Sequence, residues 1–121
     1  MTKFDAIKTD YAKSLAQFEK VLREKKTDIV RDSAIKRFEL TFDLSWKLIK
    51  TFLEVNKGVV CNSPKDCFKE AYHNSLIDYD EKWIVITDWH NESVHNYGED
   101  FADRLFEKLP EVLQLFQSLK I

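Results

Sequence analysis

The chain has 121 residues, enough for one domain with a hydrophobic core, and contains only two glycines and two prolines. That shortage of turn residues argues against an all-β fold and favours a few long helices. The net charge is −2, so the overall electrostatic field of the chain does not attract nucleic acid. No apolar run is long enough to span a membrane, which predicts a soluble, cytoplasmic protein with no membrane partner.

The N-terminal half is predicted to form two long helices. Apolar residues recur every three or four positions over residues 4–23, which indicates the first helix. The second is expected over residues 28–55, with Asp28 accepting from the free N–H groups of its first turn. Gly58 follows it and is free to adopt the left-handed conformation that often ends a helix.

The second helix has apolar side chains on two sides. Its predicted core stripe consists of Ile35, Phe38, Phe42, Trp46, Ile49, Phe52 and Leu53. Leu40 and Leu44 fall roughly 200–240° from Phe38, on the opposite side of a regular helix. A helix that is apolar on two sides packs against two different partners, of which one is the core of its own chain. These leucines are therefore expected to pack against a second layer of structure or against a second chain.

The C-terminal half is predicted to form three further helices. Ser63 and Pro64 are a typical helix start, and this short helix is expected to end near Asn74. A fourth helix is predicted to start at Asp78 or Asp80.

The fourth helix is expected to continue to the residue before Gly98. One apolar stripe supports this, formed by Trp83, Ile86, His90, Val94 and Tyr97. The fifth helix should then cover residues 99–120, with Pro110 kinking or restarting it. No repeat or long linker interrupts the pattern. Residues 1–121 are therefore predicted to be one all-α domain, an up-and-down bundle of about five helices around a four-helix core.

The cysteines and histidines do not have the spacing of a metal site. Cys61 and Cys67 form no CxxC motif, and we expect them to be reduced structural thiols rather than a disulfide. His90 and His95 are about 140° apart on a regular helix, whereas two histidines that share a metal normally lie four residues apart. His73 belongs to another helix. The sequence predicts no metal and no cofactor of its own.

The stretch DWHNESVHNYGED, residues 88–100, has two interpretations. Histidine suits proton transfer near neutral pH, and Asn91 lies one turn before His95, where its amide could orient the imidazole or bind a phosphate oxygen. Ser93 is a weak nucleophile candidate, because no nucleophile elbow surrounds it. The alternative is a polar helix end whose side chains bind the last carbonyls.

Two segments resemble a known family: RFELTFDLSWKLIKTFL at residues 37–53, and residues 63–116 from the Ser-Pro helix start through the His-x-Tyr block. Together they resemble the HEPN family and, within it, the HepT-like nucleotidyltransferase substrate-binding proteins. The resemblance covers nearly the whole chain. It implies a homodimer with a cleft between protomers. It also implies a minimal nucleotidyltransferase partner that binds ATP or another nucleotide with Mg²⁺.

The resemblance also implies site residues. Many HEPN proteins are ribonucleases with an Arg-x4-His motif, an Asn after the Arg and a Tyr two residues after the His. Asn91, His95 and Tyr97 match it, but His90 stands at the Arg position. Arg offers a permanent charge and a bidentate fork that histidine lacks, so this departure implies weakened or absent cleavage.

Three functions remain open on this basis. One is an accessory, substrate-binding subunit of the transferase, with Tyr97 as an adenylylation target. Another is a metal-independent endoribonuclease toxin that the transferase neutralises, with His95 as base, His90 as acid and Asn91 assisting, acting on RNA. The third is a helical dimer whose cleft binds some other small ligand.

Overall fold

The computed structural model describes residues 1–79 and 81–121, and these form an all-α bundle. Its helices are α1 (Lys3–Leu22), α2 (Asp28–Lys57), α3 (Pro64–His73), α4 (Lys82–Ser93) and α5 (Glu99–Gln117). Within those residues the chain has no β-strand, which confirms the predicted fold class. No helix in the described part of the chain is long and apolar enough to cross a membrane.

The core lies around α2, which contacts each of the other four helices. Phe38, Phe42 and Ile49 of the predicted stripe are fully buried. They pack with large side chains from every other helix, including Phe18, Phe68, Trp83, Ile86, Leu109 and Phe116. Burying each such side chain contributes about 1.5–3 kcal/mol, so this shared interior fixes how the helices are arranged around α2.

Side chains at the helix ends explain most of the observed boundaries. The prediction that Asp28 caps α2 is wrong: Thr27 has the extended backbone of a cap, and its hydroxyl accepts from the Val30 N–H at 3.1 Å. Gly58 has φ of 63°, which confirms the left-handed cap. Ser63 caps α3 as predicted, accepting from the Asp66 N–H.

The predicted start of α4 is wrong at Asp78. The helix begins at Lys82 instead, and the Asp78 carboxylate accepts from Lys120 Nζ at 2.7 Å. The Asp78 side chain therefore contacts the C-terminal segment and does not cap α4. The alternative start, Asp80, lies outside the described residues.

The predicted ends of α4 and α5 are also wrong. α4 ends at Ser93, before Tyr97, and α5 ends at Gln117 rather than at 120. α5 does not restart at Pro110, which lies inside one continuous helix.

Cys61 and Cys67 form a disulfide, which corrects the prediction of reduced thiols. Their Cα atoms are 5.1 Å apart because the chain turns at Ser63 and Pro64, which brings the loop before α3 against its first turn. A separation of this size is typical of disulfides. The bridge therefore joins the loop that follows α2 to α3, and both cysteines are buried.

Reducing this disulfide is expected to lower the free energy of unfolding by about 2 kcal/mol, because a short closed loop then gains freedom in the unfolded chain. Urea titration with and without a phosphine reductant measures the change. A Cys61→Ser/Cys67→Ser variant is the control and should give one midpoint under both conditions. An unchanged midpoint in the wild-type chain would contradict this expectation.

Candidate functional site

The site begins where α4 ends, in a turn that the chain builds from its own polar groups. The backbone N–H groups of His95 and Asn96 donate to the Glu92 carbonyl at 3.0 and 2.9 Å. The Asn96 side-chain oxygen then accepts from the Gly98 N–H at 2.8 Å. These bonds turn the chain away from the axis of α4 and lead it into α5. Tyr97 consequently belongs to a loop and not to the helical stripe predicted for it, and His95 lies in the same turn rather than in the predicted helix.

His90 is packed between α2 and α4. Its ring stacks on Phe42 with centroids 4.2 Å apart, and its side chain is 14% exposed. Its Nε2 lies 3.3 Å from the Asp43 carboxylate. Nδ1 lies 3.5 Å from the Asn91 side-chain oxygen, at the limit of a hydrogen bond. The residue at the motif's arginine position is therefore held in place by an aromatic ring and a carboxylate.

Ser93 is buried, and its hydroxyl is already engaged. Its Oγ lies 2.8 Å from a Glu39 carboxylate oxygen and 2.9 Å from the His90 carbonyl oxygen. The contact with Glu39 ties the last residue of α4 to α2. This arrangement gives Ser93 a structural role and agrees with the weak signal for a nucleophile in the sequence.

Asn91, His95 and Tyr97 are exposed, and Tyr97 is 90% exposed. Tyr97 lines an open groove of about 650 Å³ between the first half of α2 and the start of α5. We call it the motif groove; its charged and aromatic lining includes Arg31, Lys36, Glu39, Tyr97 and Glu99. The structure thus leaves the phenol accessible at the edge of a concave surface.

Arg31 anchors the far side of the motif groove. Its side chain is 6% exposed and faces the carboxylates of Asp28 (3.7 Å), Asp32 (3.0 Å), Glu99 (3.8 Å) and Asp103 (3.2 Å). Hydrogen bonds to Asp32 and then Asp103 raise the pKa of Arg31, while Lys26 and then Arg31 lower the pKa of Asp103. This cluster fixes the start of α5 against α2, and so fixes the end of the Tyr97 loop.

The Arg31 cluster was missed by the sequence analysis, although a signal was present. Arg31 lies four residues before Ile35 and seven before Phe38, on the same helical face as the core stripe. A charged residue at such a position is rarely buried without partners. Its acidic partners on α5 are far away in sequence, and periodicity does not reveal them.

Leu40 and Leu44 differ in exposure. Leu40 is 40% exposed, and Leu44 is partly buried against the core. In residues 1–79 and 81–121, no group of three or more His, Cys, Asp or Glu side chains is arranged to hold a metal ion.

Comparison with known proteins gives consistent matches. The family model described as "Nucleotidyltransferase substrate binding protein like" matches residues 8–120. A Haemophilus influenzae protein called "Probable ribonuclease HepT" is 28% identical over 93 residues, covering 70% of this chain and 64% of that protein, so the match spans less than two thirds of the relative. A crystal structure of a Thermus thermophilus protein has a TM-score of 0.83 at 30% identity, covering 89% of this chain and 93% of that one.

Proposed function

Because the chain belongs to the nucleotidyltransferase substrate binding protein-like family, as its motifs implied, we propose that it is the accessory subunit of a minimal nucleotidyltransferase. In this module the partner supplies ATP or another nucleotide, Mg²⁺ and the transfer chemistry. This chain supplies Tyr97 as an acceptor and a helical surface that binds the partner.

The observation that carries this proposal is the placement of Tyr97. The residue is 90% exposed, on a loop at the edge of the motif groove, so a second active site can reach its hydroxyl oxygen. In the transfer, that oxygen attacks the α-phosphorus of ATP, the bond to pyrophosphate breaks, and the phenol proton passes to a base of the transferase. The product is a tyrosine carrying AMP.

Mixing the chain with the minimal nucleotidyltransferase proposed as its partner tests the proposal. The two proteins should associate in size-exclusion chromatography, and ATP with Mg²⁺ should add one AMP group to this chain, read by intact-protein mass spectrometry. A reaction without Mg²⁺ is the control, because the metal is expected on the transferase. Absence of both the complex and the AMP adduct would overturn the proposal.

A second candidate is a metal-independent endoribonuclease that acts on RNA, supported by His95 at the motif's histidine position and by the name of the Haemophilus relative. His95 would take the proton from a ribose 2′-OH. The 2′-oxygen would then attack the adjacent phosphorus, and the 5′-oxygen would leave with a proton from His90. Asn91 would hold a phosphate oxygen, and the products would be a cyclic phosphate end and a 5′-OH end.

The packing of His90 argues for slow cleavage. Its ring is stacked on Phe42 and its Nε2 faces Asp43, so little of the imidazole is available to a phosphate. An arginine would place a longer, permanently charged fork at the same position. The accessory role is therefore the better supported proposal. Incubating purified protein with RNA in EDTA tests the second one.

The dimer implied by the resemblance leads to a prediction at Leu40 and Leu44. We expect light scattering to give the mass of a dimer for the wild-type chain and of a monomer or aggregate for Leu44→Asp and Leu40→Asp, because a carboxylate would be buried at the interface. Val55→Asp is the matched control, since Val55 is 70% exposed near the C-terminal end of the same helix. A monomeric wild type, or dimers that tolerate both leucine variants, would contradict the prediction.

A further inference from the structure

The disulfide bridge is connected to the motif residue His90 through two aromatic rings. The bridge joins Cys61, in the loop that follows α2, to Cys67 in the first turn of α3. Phe68, the next residue of α3, packs against Phe42, and His90 stacks on Phe42. We propose that the bridge is a reversible thiol–disulfide switch, and that opening it loosens the packing of His90.

The segment that carries Cys61, residues 58–62, has no regular secondary structure and is held by few contacts. Cys61 is fully buried, whereas its neighbours Val60 and Asn62 are exposed. Val60 and Cys61 make no hydrogen bond to another described residue. A segment of this kind opens locally at low cost. A reductant can therefore reach the bridge while the helices of the bundle stay folded.

The contacts that remain when the bridge opens give the switch two folded states. Ala71 of α3 is fully buried, and Lys65 Nζ lies 2.7 Å from the Asp88 carboxylate of α4. The Ser63 cap of α3 does not depend on the bridge either. Opening the bridge therefore removes the covalent restraint on the first turn of α3 and leaves the helix attached to α4.

Two ring contacts lead from that turn to His90. Phe68 is 1% exposed, and its ring centroid lies 5.9 Å from that of Phe42 in an edge-to-face arrangement. Phe42 is fully buried, and its ring lies 4.2 Å from that of His90. Closely packed rings cannot move singly without leaving a void, so a displacement of Phe68 changes the position of Phe42 and of its partner. The residue at the motif's arginine position therefore responds to the state of the bridge.

Opening and closing of the bridge are thiol–disulfide exchange with a dithiol. One thiolate of the dithiol attacks a sulfur of the bridge, which forms a mixed disulfide and releases the other cysteine as a thiolate that takes up a proton. The second thiol of the dithiol then displaces the remaining cysteine, and the dithiol becomes a disulfide. Two electrons and two protons thus pass to Cys61 and Cys67, and the oxidised dithiol closes the bridge by the reverse steps.

Dithiothreitol and its oxidised form test the switch without denaturant. Alkylation of free thiols, read by mass spectrometry, should show both cysteines reduced by dithiothreitol and both protected again after exchange into the oxidised form. Circular dichroism should remain that of a folded helical bundle in both states. A bridge that is reduced only at urea concentrations that unfold the bundle would overturn the proposal.

Nuclear magnetic resonance reports the packing of His90, with its ring protons assigned from a His90→Gln variant. Stacking on Phe42 displaces these resonances from those of an unstacked imidazole. On reduction they should shift toward the resonances of the exposed His95, while those of α1, which does not pack against α3, should stay in place. Identical His90 resonances in the two states would overturn the proposal. These readouts need neither the transferase nor RNA.

A Cys61→Ser/Cys67→Ser variant separates the bridge from other effects of the reagent. It should give the reduced-state resonances of His90 with and without dithiothreitol, because it cannot form the bridge. A His90 shift on adding dithiothreitol to this variant would show that the reagent acts elsewhere and would count against the switch.

Phe68→Leu tests the route from the bridge to His90. The variant keeps an apolar side chain but removes the ring, so the His90 shift on reduction should be much smaller than in the wild type. Phe18→Leu is the matched control, because it removes an equally buried ring on α1 and should keep the full shift. Melting curves verify folding, and Phe68→Met replaces a Phe68→Leu chain that does not fold. An undiminished shift in the folded Phe68 variant would exclude this route.

Discussion

Replacing Tyr97 with phenylalanine is expected to abolish AMP addition by the partner transferase. The variant keeps the ring but removes the oxygen that attacks the α-phosphorus, so no bond to AMP can form at this position. Tyr97 makes no side-chain hydrogen bond to another described residue and is 90% exposed, so removing its hydroxyl should leave the fold and the complex intact. Mass spectrometry after incubation with the transferase, ATP and Mg²⁺ provides the measurement.

Tyr79→Phe is the matched control for that experiment. Tyr79 is 67% exposed and lies in the connection before α4, away from the motif groove. It should accept no AMP in the wild type, and its replacement should leave modification unchanged. A Tyr97→Phe chain that still gains AMP would show that the acceptor is another residue. If neither variant gains AMP, modification depends on the surface that contains both tyrosines and not on the Tyr97 hydroxyl alone.

The helices of this chain could be predicted because their burial is periodic. In α2 the core stripe follows one face, and Phe38, Phe42 and Ile49 are buried as the spacing indicates. The end of α4 could not be predicted in this way. Val94 and Tyr97 fit the stripe of α4, but periodicity says only which face a residue would occupy if the helix continued.

Local polar bonds determine where α4 stops. The turn after Ser93 is closed by backbone bonds to the Glu92 carbonyl and by the Asn96 side chain, which captures the Gly98 N–H. Asparagine favours such turns, so the signal was present, but it competed with the apolar pattern around it. The disulfide is a similar case, since sequence spacing does not fix the distance between Cys61 and Cys67.

The candidate site could be predicted only in part. Family resemblance identified Asn91, His95 and Tyr97 from the motif. Two features of the structure around these residues depend on contacts between positions far apart in sequence. One is the pairing of His90 with Asp43 on α2. The other is the Arg31 cluster, which joins α2 to the start of α5. Such contacts arise from the packing of the bundle and leave no regular trace in a single sequence.

Changing His90 to arginine is expected to increase RNA cleavage relative to the wild-type chain. The variant restores the motif's permanent charge, and the Asp43 carboxylate, 3.3 Å from the imidazole, is placed to orient the new guanidinium. Because a guanidinium does not give up its proton, the leaving 5′-oxygen takes its proton from water in this variant, and the gain comes from charge stabilisation of the phosphate. Cleavage of a single-stranded RNA in EDTA, followed by gel electrophoresis, measures the rate. His73→Arg is the matched control, because it adds the same charge to an exposed histidine outside the motif.

The same assay assigns the role of His95. Adding His95→Ala to the His90→Arg chain should reduce the rate about 10²–10⁴-fold, the usual contribution of a positioned general base. This loss should occur without metal, because the imidazole alone takes the 2′-OH proton. An equal gain from His73→Arg would mean that added positive charge merely recruits RNA. A double variant that cleaves as fast as His90→Arg would remove His95 from the reaction and leave residues 88–100 as a polar helix end.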